Sequence, residues 1–149
     1  MYKRQLLKSK VKRDVKYDAR YNIALNYLLI EDFQNSVDYA NILLKKEYRE
    51  SEIAKIRIIK ARGLAELGNT DEAIAILQAV TQNNKRSKLA AEAFFYLGEI
   101  HFNILSDYQE AIVNYSKVKT EYNKSELIEQ ALIKSVCLLY TSPSPRDRS

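Results

Sequence analysis

The chain has 149 residues, of which 46% are hydrophobic and 29% charged, with a formal net charge of +5. That length holds one domain with a substantial core but not several, and no run reaches the ~18 apolar residues that a membrane-spanning helix needs. One Cys and one His exclude a disulfide framework and the usual Cys/His zinc sites, and three Gly with two Pro leave little to punctuate strands and hairpins.

In chain order the reading starts with Met1-Tyr2-Lys3-Arg4-Gln5, which resembles translated sequencing-adapter DNA. Apolar residues recurring at three- and four-residue steps then predict helices near residues 11–30, 33–47, 51–67, 70–83, 87–105, 107–121 and 125–139. Asn69 with Glu72 and Asp107 with Glu110 have the cap-x-x-Glu spacing that satisfies unpaired N–H groups at a helix start, and Asp32 is expected to cap in the same way. Ser51 and Ser125 are expected N-caps, with Glu52 and Glu126 in the first turn where the helix dipole favours negative charge. The stretch Cys137–Asp147 resembles translated linker, and Cys137–Ser142 the reverse complement of the same adapter, so residues 137–149 are expected to be a disordered scar and residues 6–136 to carry the fold. Setting both ends aside removes Lys3, Arg4, Arg146 and Arg148 and also Asp147, which lowers the net charge from +5 to +2. A nearly balanced surface gives no general invitation to nucleic acid.

Two sets of small residues keep time along this series. Ala24, Ala61 and Gly98 are 37 apart, and Ser36, Ala73 and Ala111 follow at 37 and then 38. Glu47-Tyr48-Arg49-Glu50-Ser51 returns 74 positions later as Glu121-Tyr122-Asn123-Lys124-Ser125. A fixed period in this range is the mark of stacked supersecondary units. Small residues at such positions let paired helices approach closely.

The residues resemble the tetratricopeptide repeat family. The third unit shows it best, with Phe94, Leu97, Gly98, Tyr108, Ala111 and Tyr115 at the family's pattern positions. Ile23, Ala24, Tyr27, Phe33, Ser36 and Leu43 fit in the first unit, and Ala61, Leu64, Gly68, Ala73 and Leu77 in the second. Arg20 and Arg57 stand where a large aromatic is common, His101 replaces an aromatic, the closing Pro is missing and the period exceeds the usual one. The resemblance implies an all-α, right-handed solenoid of antiparallel helix pairs, with units near 17–50, 54–87 and 91–124 and a partial fourth over 125–136. The long period and the Tyr-x-x-Ser closures resemble the tetratricopeptide proteins of the bacterial cell envelope, of the outer-membrane assembly lipoprotein and Tol–Pal coordinator type. That narrower resemblance implies a periplasmic scaffold and a fragment of a larger bacterial protein.

In the family the first helices of successive repeats line a concave groove, and the resemblance carries that role onto Asp18, Tyr21, Leu25, Lys55, Ile58, Arg62, Glu92, Phe95, Glu99 and Phe102. Aromatics mixed with charge of both signs suit a peptide or protein partner, although Tyr21, Phe95 and Phe102 serve equally well as packing between repeats. The implied function is protein binding, not catalysis. Ser36, Ser51, Ser87 and Ser125 are accounted for as small or capping residues, no cofactor or metal is expected, and His101 reads as a packed core histidine. Asp14 and Asp18 interrupt the basic run Lys8, Lys10, Lys12, Arg13 and Lys16, which reads as a solvated helix face. An RNA-binding helical repeat and the regulatory arm of an enzyme outside this chain are the competing classes. The apolar face of the last helix, with Ile128, Ala131 and Leu132, predicts self-association.

Overall fold

The computed structural model describes residues 2–141, with side chains described over 8–140. It contains seven α-helices and no strand among the described residues: α1 (Tyr2–Leu29), α2 (Phe33–Leu44), α3 (Glu50–Glu66), α4 (Thr70–Asn83), α5 (Lys88–Asn103), α6 (Tyr108–Glu121) and α7 (Ile128–Thr141). Each helix packs on the next in sequence, while α1 also touches α3, and α3 touches α5. This is an all-α helical repeat solenoid, with odd-numbered helices forming a row and even-numbered helices packed against it.

The helix starts follow from the side chains that reach their first N–H groups. Asp32 Oδ1 accepts from the Asn35 amide at 3.4 Å, Asp107 Oδ1 from the Glu110 amide at 3.2 Å, and Ser87 Oγ from the Ala90 amide at 3.2 Å. Three expected caps differ. Asn69 makes no side-chain capping bond. Ser51 lies inside α3, because Glu52 Oε1 reaches back to the Arg49 amide at 2.9 Å and starts the helix at Glu50. At the corresponding position after α6, Ser125 Oγ accepts from the Leu127 amide at 3.2 Å, so it closes a turn and α7 follows at Ile128. Helix α7 continues to Thr141, through a stretch expected to be disordered, and Leu138 is buried. The remainder of that expected tail, 142–149, lies outside the described residues.

The turns inside the three repeats share one geometry. Glu31, Gly68 and Ser106 each take a left-handed backbone, with φ of 64°, 95° and 53°. The next amide folds back on the preceding helix, from Asp32 to the Tyr27 carbonyl at 2.9 Å, from Asn69 to Leu64 at 2.9 Å and from Asp107 to His101 at 2.8 Å. This is the closure that satisfies carbonyls at a helix C-terminus. The first two span five residues and the third spans six, so the α5–α6 turn holds one extra residue. That insertion accounts for the step of 38 among steps of 37.

All six small positions are buried, five of them with no exposed surface (Ala24, Ser36, Ala61, Ala73 and Ala111) and Gly98 beneath a tyrosine ring. Ser36 Oγ donates to the Ala24 carbonyl at 3.0 Å. A Cβ added to Gly98 would stand 2.5 Å from Tyr115 Cε1.

Candidate functional site

Helices α1, α3 and α5 present side chains along one row, and the partly buried polar groups on it converge at Tyr21, Arg62, Glu92 and Tyr96. Arg62 Cζ lies 4.2 Å from the centroid of the Tyr96 ring, a distance at which the ring quadrupole attracts the guanidinium. Burial pushes the Glu92 carboxyl above the usual carboxylate range, against the pull of Lys88, Lys55 and Arg62. Burial also raises the Tyr21 phenol, with Glu92 adding to the effect and Arg62 opposing it. Tyr96 is raised by burial too, and Arg62 opposes the shift there. Arg62 is thus the common counter-charge of three groups that resist ionisation.

Beside this patch lies a cavity of about 280 Å³ between the C-terminal ends of the same three helices. Leu28, Phe33, Ala65 and Ile100 give it apolar walls, and Glu31, Arg62, Glu66, Tyr96, Glu99 and Asn103 give it a polar rim. An apolar concavity with a few placed polar groups is the usual form of a recognition pocket. Glu99 is already committed within the fold. Its Oε1 accepts from the Tyr115 hydroxyl at 2.8 Å and pairs with Lys134 of α7, while Oε2 accepts from Asn103 Nδ2 at 3.0 Å. Burial first, then this bond to Glu99, raises the Tyr115 phenol strongly.

The ten positions assigned to the groove divide three ways. Asp18 and Lys55 are exposed, and Tyr21, Leu25, Arg62, Glu92, Glu99 and Phe102 are partly buried. Ile58 and Phe95 are corrections: at 4% and 5% exposed they are core residues with no face to offer a partner. Ile58 belongs to the central cluster with Ala61, Leu64, Leu77 and Leu97, and Phe95 to the cluster with Ala111, Tyr115 and Val118. Leu25 packs against a third cluster, of Tyr17, Ala24, Leu28 and Leu43 with Ile56 and Ile59, and the Phe102 ring lies tilted against Tyr108 at 5.7 Å between centroids, so packing is a large part of their role. Tyr96 is the residue the sequence reading missed. Three aromatics in succession, Phe94-Phe95-Tyr96, hid which of them faces out, and the hydroxyl of Tyr96 was the available signal.

Among the described residues no group of His, Cys, Asp and Glu is placed to hold a metal ion, and no helix is long and apolar enough to cross a membrane. His101 is partly buried with its Nδ1 enclosed and unpartnered. Comparison with curated proteins and with solved structures gave no significant match. The family profile of the tetratricopeptide repeat matches residues 60–87 and 92–125. Those segments hold the second half of α3 with α4, then α5 with α6, and through them the two central helix pairs support a tetratricopeptide repeat family, whose members are typically non-enzymatic scaffolds that bind other proteins.

Proposed function

We propose that this chain is a protein-interaction scaffold that holds a peptide or a segment of a partner protein against α1, α3 and α5. The observation that carries the reading is the juxtaposition of Arg62 on Tyr96, beside Tyr21 and Glu92, with the apolar cavity at the ends of the same helices. A partner side chain fills the cavity, and the patch fixes its direction by one cation and one carboxylate. The finer reading is a role in bacterial envelope or outer-membrane assembly, with a periplasmic location, supported by the long period and the Tyr-x-x-Ser closures. Self-association through α7 is part of the same reading, although of the face read from the sequence Ala131 is 1% exposed and Ile128 packs on the core, which leaves Leu132, with Ile133 and Val136, about half exposed.

A random-peptide display selection on the whole chain tests the groove. Selected peptides should bind Arg62→Ala and Glu92→Lys variants at least roughly tenfold more weakly, the loss of one well-placed charged contact, with unchanged helical circular dichroism. Equal binding to both variants would place the peptide site elsewhere.

A further inference from the structure

A second concavity, of about 370 Å³, lies at the other end of the first repeat, where α1 runs past the α2–α3 connection. Lys12, Arg13, Lys16 and Arg20 line it from α1, and Lys46 faces them from beyond the end of α2. Glu47 is the sole carboxylate lining it. Neither Asp14 nor Asp18, the acids that interrupt the basic run in sequence, is among the residues that line this cleft. Asp14 pairs with Arg49 at 3.4 Å, and Glu52 takes up Arg13 at 3.2 Å, so Lys12, Lys16 and Lys46 keep their charge for a ligand. Arg20 Nη1 donates to the Tyr48 hydroxyl at 3.1 Å, which holds it at the cleft's edge.

We propose that this cleft binds an extended acidic segment of a partner protein, at a site separate from the groove. Lys12, Lys16 and Arg20 repeat every fourth residue, which on a helix sets them about 6 Å apart along the axis. Alternate side chains of an extended chain repeat about every 7 Å, so acidic residues at every second position meet these cations in register. A single-stranded nucleic acid shares the negative charge but needs open aromatic faces on which to stack its bases. Among the described residues Tyr48 is the only aromatic lining the cleft; its ring stands edge-on to Tyr17 at 5.2 Å between centroids, and its hydroxyl is occupied by Arg20.

Fluorescence anisotropy with a labelled eight-residue peptide of alternating Glu and Ser, its Gln counterpart and an octauridine tests the proposal. The Glu peptide should bind the intact chain, weaken several-fold between low and physiological salt as exposed charge pairs do, and bind the exposed-site variant Lys12→Gln/Lys16→Gln/Lys46→Gln at least roughly tenfold more weakly. The Lys→Arg version of the same triple variant should retain binding, and Arg62→Ala should leave it unchanged. Equal binding of the Gln peptide, undiminished binding to the Gln variant, or tighter binding of octauridine than of the Glu peptide overturns it.

Discussion

The third repeat differs from the first two by one added residue in its turn and by one exchange of volume across its helix pair. Ala40, Leu77 and Tyr115 hold equivalent places on α2, α4 and α6 once the extra residue is counted; Ala40 shares a core cluster with Ala24 and Leu77 with Ala61, and the Tyr115 ring covers Gly98. As the residue on the even helix grows from Ala to Leu to Tyr, the residue on the odd helix shrinks to Gly. In the first repeat the pair is joined by a serine hydroxyl on a backbone carbonyl, and in the third by an aromatic ring on a bare backbone. Gly98 and Tyr115 are therefore a matched pair, in which the ring takes the space that a side chain at 98 would need.

The largest test of that statement is Gly98→Ala. The new methyl meets the Tyr115 ring, and overpacking of this kind costs about 1–3 kcal/mol, seen as a lower denaturant midpoint. Adding Tyr115→Leu, which copies the second repeat, should recover part of the loss, so that the double variant is more stable than the sum of the two single changes. Strict additivity would show that the two positions are not a matched pair. The turns give a smaller effect. Gly68 has no heavy atom near its missing Cβ, so Gly68→Ala tests the left-handed backbone alone and should cost about 1 kcal/mol. Ser106→Gly at the equivalent place should stabilise by up to about 1 kcal/mol, and thermal melts of both variants check the sign.

The smallest effect compares Asp18 with Glu92, which hold the same phase in the first and third repeats. Burial raises the Glu92 carboxyl in the folded chain, so its contribution favours folding at low pH and is lost as pH rises through the folded value. Glu92→Gln should therefore raise the melting temperature slightly at pH 7, with the gain gone by about pH 4, below the ordinary Glu value. Asp18→Asn, at an exposed position, should leave the pH 7 melt nearly unchanged.

Much of this was legible beforehand, because small residues and turn acids recur at fixed spacing wherever helices approach and restart. Phase at finer grain was not. Phe95 and Tyr96 are adjacent and both aromatic, so periodicity alone cannot say which is enclosed. Ser51 looked like a helix start, yet Glu52 reaches back to the Arg49 amide and wins the position. Asn114 is polar yet 6% exposed, with Nδ2 donating to the Glu110 carbonyl at 2.8 Å, a burial that periodicity does not announce. The basic cleft was invisible for a different reason: Lys46 joins Lys12, Lys16 and Arg20 only when α2 folds back along α1, and the pairing that removes Asp14 depends on Arg49, just before α3.

Helix α3 contributes to two of the three core clusters, Ile56 and Ile59 to the one it shares with α1 and α2, and Ala54, Ile58, Ala61 and Leu64 to the one it shares with α4 and α5. It cannot leave one cluster without opening the other. The amide protons of α3 are therefore expected to be among the slowest to exchange with solvent, while α7, held at one end of the stack, opens in smaller and more frequent steps. A load applied along the array would peel helices from that end and meet its first strong resistance at α5, which gives Ala91 and Phe95 to one cluster and Ala93, Leu97 and Ile100 to the next.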